Sequence, residues 1–157
     1  MSNTKVPAGK LSVVCVVIVT AIMLVSCAGD NTENLAQAAK RGDLKAVNSL
    51  LESGVDVDTE DSKQHATALM WAAHEGYPDV VELLIEHGAG INKRKSTGET
   101  ALWFAAQQGR LEVVKMLVQH GADVNITGWE GASALEVARK KGHPKIVDYL
   151  RQAGAVG

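Results

Sequence analysis

The fold of this chain is decided by residues 100–125, TALWFAAQQGRLEVVKMLVQHGADVN. Within residues 102–106 the leucine and the last two alanines share one helical face, and residues 113–117 form a second apolar stripe. Gly109 separates the two stripes, and a glycine can turn the chain between two helices at no steric cost. The stretch therefore predicts two short helices joined by a tight turn.

The same pattern recurs through most of the chain with a period of 33 or 34 residues. The turn glycine has counterparts at this spacing, and so does the glycine that follows each second helix. The two series are Gly42, Gly76, Gly109 and Gly142, and Gly54, Gly88, Gly121 and Gly154. Units of this size cannot bury their apolar faces alone and become stable when they stack. We therefore expect an all-α solenoid of about four helix-turn-helix repeats.

These units resemble ankyrin repeats. The openings TALMWAA at residues 67–73 and TALWFAA at 100–106 match the family's T-P-L-H-x-A-A pattern. The stretches RLEVVKML at 110–117 and GADVN at 121–125 match its second helix and finger loop. The resemblance covers about residues 31–155 and implies an ankyrin-repeat domain. We place that domain at residues 32–157, with repeats at about 32–62, 63–95, 96–128 and 129–157.

The amino terminus predicts a secretory signal peptide. Lys5 and Lys10 precede an apolar run at residues 11–25, and the small residue Ser26 follows before Cys27. A basic start, a short apolar stretch and small residues before the cleavage point are typical of such signals. The apolar run has 15 residues, whereas about 20 are needed to span a bilayer. The alternative is an uncleaved membrane anchor in which the cysteine is incidental.

Residues 24–27, Leu-Val-Ser-Cys, resemble the lipobox of bacterial lipoproteins. The resemblance implies that residues 1–26 are removed, that Cys27 becomes the lipidated first residue, and that residues 27–31 form a short tether. It places the folded domain in the periplasm, attached to the membrane through lipid. Ala28, next to the cysteine, favours the inner leaflet of the outer membrane.

Charge limits the classes of partner that this protein can bind, and cysteine content limits how its domain can be stabilised. Removing Lys5 and Lys10 with the signal leaves 14 basic residues against 18 acidic ones, a net charge of −4. An acidic domain has no electrostatic attraction to nucleic acid, so we expect no nucleic-acid partner. With Cys15 removed and Cys27 lipidated, the mature domain holds no disulfide, and packing alone must stabilise it. We expect a monomer when the protein is free.

The sequence gives no support for catalysis. It contains no G-x-S-x-G, no H-E-x-x-H and no cysteine cluster. His87 and His120 lie one period apart at predicted helix ends, where histidine interacts favourably with the helix C-terminus. The acidic residues of the first finger are interpreted as solvated rather than catalytic: Asp56, Asp58, Glu60 and Asp61. We expect no enzyme activity, no cofactor and no metal.

The resemblance to ankyrin proteins implies a binding surface on the finger loops and on the concave face of the first helices. The finger positions are Lys63, Gln64, Ala66, Lys93, Arg94, Lys95, Ser96, Thr97, Glu99, Trp129, Glu130 and Ala132. The helix positions are His74, Glu75, Trp103, Gln107, Gln108, Lys140 and Lys141. Trp129 is the first candidate, because tryptophan is enriched among interface hot spots. Its alternative is to fold back onto the neighbouring finger.

Three further aromatic residues lie on the first helices. Trp71 and Phe104 are interpreted as packing between repeats. Trp103 replaces the histidine of the family pattern, and we expect it to be the most exposed of the three.

Small lipid-anchored ankyrin proteins resemble the immunity partners of lipase toxins delivered by type VI secretion. This resemblance implies that the protein binds and neutralises a phospholipase toxin at the membrane. The alternative is a scaffold or chaperone-like partner of a periplasmic enzyme such as catalase. Both functions would use the same surface, so the sequence leaves the choice between them open.

Overall fold

The computed structural model describes residues 31–157. The predicted signal peptide and the predicted lipidation site at Cys27 lie outside the described residues. The described part contains eight α-helices: α1 Asn31–Arg41, α2 Leu44–Glu52, α3 Ala68–Glu75, α4 Pro78–Glu86, α5 Ala101–Gln107, α6 Leu111–Gln119, α7 Ala134–Lys141 and α8 Pro144–Gln152. A 3₁₀ turn at Trp129–Gly131 precedes α7. None of these helices is long and apolar enough to cross a membrane.

The helices form four pairs in two layers, which confirms the predicted all-α solenoid. The inner layer consists of α1, α3, α5 and α7, and the outer layer of α2, α4, α6 and α8. Neighbouring inner helices contact each other more extensively than neighbouring outer helices do. Paired alanines at residues 72–73 and 105–106 are completely buried and allow this close approach. Tighter packing on one side bends the stack, so the inner helices lie on its concave side.

Long finger loops connect the pairs. The first finger spans residues 53–67, the second 87–100 and the third 120–133. Each finger ends at a residue that caps the next inner helix: the hydroxyl oxygens of Thr67, Thr100 and Ser133 accept backbone N–H groups from Met70, Trp103 and Glu136. Such caps stabilise a helix by about 1 kcal/mol each. The hydroxyl residue therefore fixes where each finger stops and each helix begins.

The outer helices begin and end as predicted. Pro78 is the first residue of α4, where its missing N–H removes no helical hydrogen bond. Gly88 follows the last residues of α4 with a φ of 84°, and the next N–H, from Ala89, donates to the Leu84 carbonyl at 3.0 Å. This left-handed glycine turn is a common way to end a helix. His87 also bonds to the end of its helix, with Nδ1 2.9 Å from the Leu83 carbonyl oxygen.

A ladder of short polar side chains joins the fingers. Asp58 Oδ1 accepts the Gly90 N–H at 2.8 Å, and Asn92 Oδ1 accepts the Asp123 N–H at 2.8 Å. The next member, Asn125, occupies the same place one repeat later and accepts the Val156 N–H at 3.0 Å. Each finger is thus tied to the segment that follows it by one side-chain acceptor. Asp58 is structural, so the expectation that it is merely solvated is wrong.

The same correction applies to Asp61, whereas Asp56 is exposed to solvent as expected. Asp61 Oδ1 accepts the Gln64 N–H at 2.6 Å, and Asp61 Oδ2 accepts the indole N–H of Trp71 at 2.8 Å. Asp56 Oδ1 accepts the backbone N–H two residues later at 3.0 Å. These side chains organise the loop because their oxygens satisfy its backbone donors. The side chain of Glu60, 43% exposed, lies near His65 on the surface.

Candidate protein-binding surface on the inner helices

Equivalent positions of the four inner helices form three rows on the exposed side of the inner layer. The rows are Lys40, His74, Gln107 and Lys140; Arg41, Glu75, Gln108 and Lys141; and Gln37, Trp71, Phe104 and Val137. Together with the finger turns beside them, these rows are called the inner face below. All six predicted polar helix positions lie in the first two rows. The stack therefore brings side chains from four repeats onto one surface.

One concave site on the inner face lies between the first finger and helices α3 and α5. This aromatic pocket has a volume of about 270 Å³ and is lined by Gln64, Ala66, Met70, Trp71, His74 and Phe104. Its rings pack edge to face, with centroids 5.9 Å apart for Trp71 and His74 and 6.0 Å apart for His74 and Phe104. Edge-to-face contacts of this kind hold aromatic rings in fixed positions. The pocket is therefore a rigid, largely apolar depression.

Hydrogen bonds hold the His74 ring in place. Nδ1 lies 3.2 Å from Glu75 Oε1, and Nε2 lies 3.0 Å from the side-chain nitrogen of Gln108. A neutral imidazole with its proton on Nδ1 satisfies both contacts, since Nδ1–H then donates to the carboxylate and Nε2 accepts from the amide. Lys40 closes the other side of the pocket with Nζ 4.0 Å from the centre of the Trp71 ring, a cation–π contact.

A second concave site, the tryptophan groove, lies between the third finger and α7. It has a volume of about 390 Å³ and is lined by Trp103, Gln107, Trp129, Glu130, Gly131, Ala132, Glu136, Val137, Lys140 and Lys141. Seven of these residues are among the predicted binding positions. Glu130 and Glu136 lie at its finger end, and the two lysines lie at the other end of α7. The groove therefore has an acidic end, an apolar middle and a basic end.

Glu136 has a structural task at the finger end of this groove. Its carboxylate accepts the Ser133 N–H at 2.8 Å, while its own N–H donates to the Ser133 hydroxyl. The hydrogen bonds from Ser133 lower the pKa of the Glu136 carboxyl. Glu136 is therefore charged as part of the helix cap.

Trp129 stands at the rim of the tryptophan groove. Its side chain is 53% exposed, which confirms that it does not fold back onto its neighbour. The indole N–H groups of Trp71 and Trp103 donate to acceptors within the protein, whereas that of Trp129 meets no acceptor among the described residues. The turn behind it places Glu130 at a φ of 55°. This left-handed conformation costs a non-glycine residue about 1 kcal/mol.

Comparison with known proteins agrees with this architecture. A family model described as ankyrin repeats in three copies matches residues 35–128 and 97–156. The chain belongs to the ankyrin-repeat family. Ankyrin repeats are protein–protein interaction modules and are in general non-catalytic.

Curated relatives share the repeats over part of the chain. Mouse ankyrin repeat domain-containing protein 40 is 36% identical over 70 residues, which is 45% of this chain and 19% of the relative. Mouse ankyrin repeat and SOCS box protein 6 is 43% identical over 60 residues, 38% of this chain and 14% of the relative. The mouse 2-5A-dependent ribonuclease is 35% identical over 69 residues, 44% of this chain and 9% of that enzyme. The matches thus span a fifth or less of these longer relatives.

In this ankyrin-repeat protein Trp103 is not the most exposed of the inner aromatic residues, so that prediction is wrong. Its side chain is 6% exposed, and its Nε1–H donates to the Ala132 carbonyl at 3.1 Å. The third finger folds over the indole because Gly128 has no side chain: a Cβ there would lie 3.0 Å from Trp103 Cδ1. Trp71 and Phe104 pack against the core but keep part of their surfaces exposed. They are therefore the aromatic residues displayed by the inner helices.

Glu99 is also not available to a partner, contrary to its place in the predicted site. It is 5% exposed, and its carboxylate accepts a hydrogen bond from the Thr97 hydroxyl. Its Cγ lies under the third finger, 3.0 Å from where a Cβ of Gly128 would be. Glu99 is therefore a buried residue packed between the second and third fingers.

The basic residues of the second finger point to different neighbours. Lys93 Nζ donates to the Asp58 carbonyl at 3.1 Å, towards the first finger. Arg94 donates to the Thr127 carbonyl at 3.1 Å, towards the third finger. Lys95 is partly buried, with Nζ 6.0 Å from the Phe104 ring. Lys93 and Arg94 therefore link the second finger to the fingers on either side of it.

The inner face carries features suited to binding another protein. Among residues 31–157 there is no group of three or more histidine, cysteine or acidic side chains that could hold a metal ion. The inner face offers two preformed depressions, an exposed indole and cations at both ends. Ser96 is exposed at the tip of the second finger, and the hydroxyl of Thr97 beside it is engaged with Glu99.

Proposed function

We propose that this ankyrin-repeat protein is a membrane-anchored periplasmic binding module, and specifically an immunity protein that binds and neutralises a type VI secreted phospholipase toxin. The observation that carries the binding proposal is Trp129, a half-exposed indole with an unpartnered N–H at the rim of a preformed groove. An exposed tryptophan beside a fixed depression is the usual form of an interface hot spot. The lipobox resemblance supports the proposed location.

The tether would hold the binding surface close to the bilayer. Cys27 lies four residues before Asn31, the first residue of α1. At about 3.5 Å per residue, the domain would begin within about 15 Å of the lipid. A phospholipase toxin acts at the membrane, so an inhibitor tethered there would meet it where damage occurs.

Inhibition would require binding alone, with no catalytic step by this protein. A rigid inner face that covers the entrance to the toxin's active site would exclude phospholipid. Interfaces between preorganised surfaces of this kind reach high affinity because little conformational freedom is lost on binding. The edge-to-face rings and the ties between fingers provide such rigidity here.

The test is a protection assay. Cells that direct the candidate toxin from the neighbouring gene to their periplasm would express the full chain, the Trp129→Ala variant or no immunity candidate. We expect the full chain to restore growth and Trp129→Ala to protect poorly, because loss of a hot-spot tryptophan lowers affinity by about 2 kcal/mol or more. Lys145→Ala, on the outer layer, serves as the matched control and should protect fully.

Failure of the full chain to protect would contradict the toxin proposal. If it instead raised the activity or level of a periplasmic enzyme such as catalase, the scaffold function would replace it. Full protection by Trp129→Ala with unchanged affinity would move the binding site away from the third finger.

A further inference from the structure

The cations of the inner face are concentrated at its two ends. Lys40 and Arg41 lie at the amino-terminal end of the polar rows, and Lys140 and Lys141 lie at the other end. The only acidic residue in these two rows is Glu75, and it is hydrogen-bonded to His74. These two rows carry four cations and one carboxylate, whereas the predicted mature chain has a net charge of −4.

These four cations have no acidic partner in the described part of the chain. The close carboxylate contacts found there are made by histidines, His65 with Glu60 and His74 with Glu75. Lys140 and Lys141 are exposed, and Lys40 is held over the Trp71 ring rather than against a carboxylate. Their charge is therefore available to a ligand.

Aromatic surface lies beside the two polar rows, between the charged ends. The aromatic pocket displays Trp71 and Phe104, and the tryptophan groove displays Trp129 beside buried Val137. Both depressions are too small for a folded domain and are the right size for single side chains. A ligand that uses the whole face must carry apolar side chains in its middle.

The spacing of the helices sets the length of such a ligand. Packed helices lie about 8–10 Å apart, so three steps from α1 to α7 span roughly 25–30 Å. An extended chain advances about 3.3 Å per residue. About nine residues would therefore reach from the first pair of cations to the second.

We propose that the inner face binds an extended acidic segment of a partner protein. Carboxylates at the two ends of the segment pair with Lys40 and Arg41 and with Lys140 and Lys141, and apolar side chains between them enter the aromatic pocket and the tryptophan groove. The inference rests on the proposed function as a protein-binding module and specifies the chemistry of its partner. Basic segments are repelled at both ends, which gives the surface selectivity.

Defined peptides test this inference with the full chain in non-ionic detergent micelles. The probe is a nine-residue fluorescent peptide, Asp-Asp-Gly-Leu-Ser-Phe-Gly-Asp-Asp, and its affinity is measured by fluorescence anisotropy. One control peptide replaces the four aspartates by lysine, and another replaces leucine and phenylalanine by serine. We expect the probe to bind at least tenfold more tightly than either control, with an affinity that falls as salt rises.

Matched charge reversals locate the binding surface. The double variant Lys140→Glu and Lys141→Glu should bind the probe at least tenfold more weakly. The double variant Lys145→Glu and Arg151→Glu makes the same change in net charge on exposed residues of α8 in the outer layer, and it should bind within threefold of the original protein. Circular dichroism and thermal unfolding check that both variants fold, and replacing Lys140 and Lys141 by arginine should preserve binding.

Several results would overturn the inference: equal affinity for the acidic and basic peptides, equal losses for the two charge reversals, or equally tight binding of a nine-nucleotide oligothymidine. Peptide binding without protection against the phospholipase would remove the toxin proposal and leave this inference standing. Protection without peptide binding would remove this inference and leave the toxin proposal standing. The two proposals therefore fail separately.

Discussion

At the scale of single residues, Asp61 shows how one side chain organises a finger. Its carboxylate accepts hydrogen bonds from the turn that follows it and from the indole of Trp71 in the next helix. Partial burial raises the pKa of Asp61, but these hydrogen bonds lower it more, so the pKa lies below its ordinary value of 3.8. Asp61 therefore couples the first finger to the aromatic pocket through a charged group.

This coupling predicts a pH dependence of stability. Because the folded-state pKa is depressed, the unfolded chain binds the proton more readily, and the contribution of Asp61 is complete above about pH 4–5. It is lost as pH falls through the lowered folded-state pKa. Asp61→Asn should reduce the free energy of unfolding at pH 7 and should flatten its decline between pH 5 and pH 3. Urea titrations across this range measure both effects.

The test of Asp61 has an internal comparison. Trp71→Phe removes one donor to the carboxylate but keeps the backbone donors, so it should leave part of the acid dependence in place. An Asp61→Asn protein as sensitive to acid as the original chain would show that the carboxylate does not contribute to the decline.

The environments of single side chains could be predicted only in part. The exposure of Trp129 follows from its position at a finger tip between Gly128 and Glu130. The burial of Trp103 depends on a finger that begins well after it and folds back over it, and helical periodicity carries no information about that path. A signal for the ladder was present in the sequence, since Asp58, Asn92 and Asn125 are spaced by 34 and 33 residues.

At the scale of elements, buried and exposed positions of the helices differ in how much packing each side chain contributes. Leu102 in α5 is 1% exposed and lies in the core shared by neighbouring repeats. Leu102→Ala should lower the free energy of unfolding by about 2–5 kcal/mol, as truncations of buried leucines do. Lys145→Ala, at an exposed position of α8, should change it by no more than about 0.5 kcal/mol. Equal shifts in a urea titration would contradict the repeat packing.

The helices were the predictable elements, and the fingers were not. A stripe at helical spacing, a proline at position 78 and a glycine at position 88 mark the course of α4 directly in the sequence. The second finger takes its shape from Arg94 and Asn92, whose partners lie about one repeat away. Such contacts follow from stacking and are absent from any local pattern, so the separate directions of the three adjacent cations there cannot be predicted from the sequence.

At the scale of the whole molecule, the stack has no single centre on which its stability depends. Each repeat contacts its neighbours, so stability is the sum of repeats and interfaces. The repeat period was sufficient to predict this architecture from the sequence. The distribution of charge on the inner face was harder to predict, because Lys40 and Lys140 belong to opposite ends of the chain and become parts of one surface through stacking.

The proposed anchor gives a prediction for the intact protein. Mass spectrometry of the membrane fraction should find a diacylglyceryl group on Cys27 as the first residue of the mature chain. Cys27→Ala should block processing and lipid attachment, because the thiol is the group that accepts the lipid. A mature chain that begins elsewhere, or a Cys27→Ala protein that is processed normally and stays tightly bound to the membrane, would contradict the proposal.

The three tryptophans have an optical consequence. Trp71, Trp103 and Trp129 fall in successive predicted repeats, and they are partly buried, buried and exposed, respectively. Versions that keep one tryptophan and replace the others by phenylalanine would each emit light from a known place in the stack. Emission from Trp103 would shift to longer wavelengths when the middle of the stack opens, and emission from Trp129 would shift to shorter wavelengths when a partner covers it. Unfolding of separate repeats and occupation of the groove could thus be followed in one protein without any attached dye.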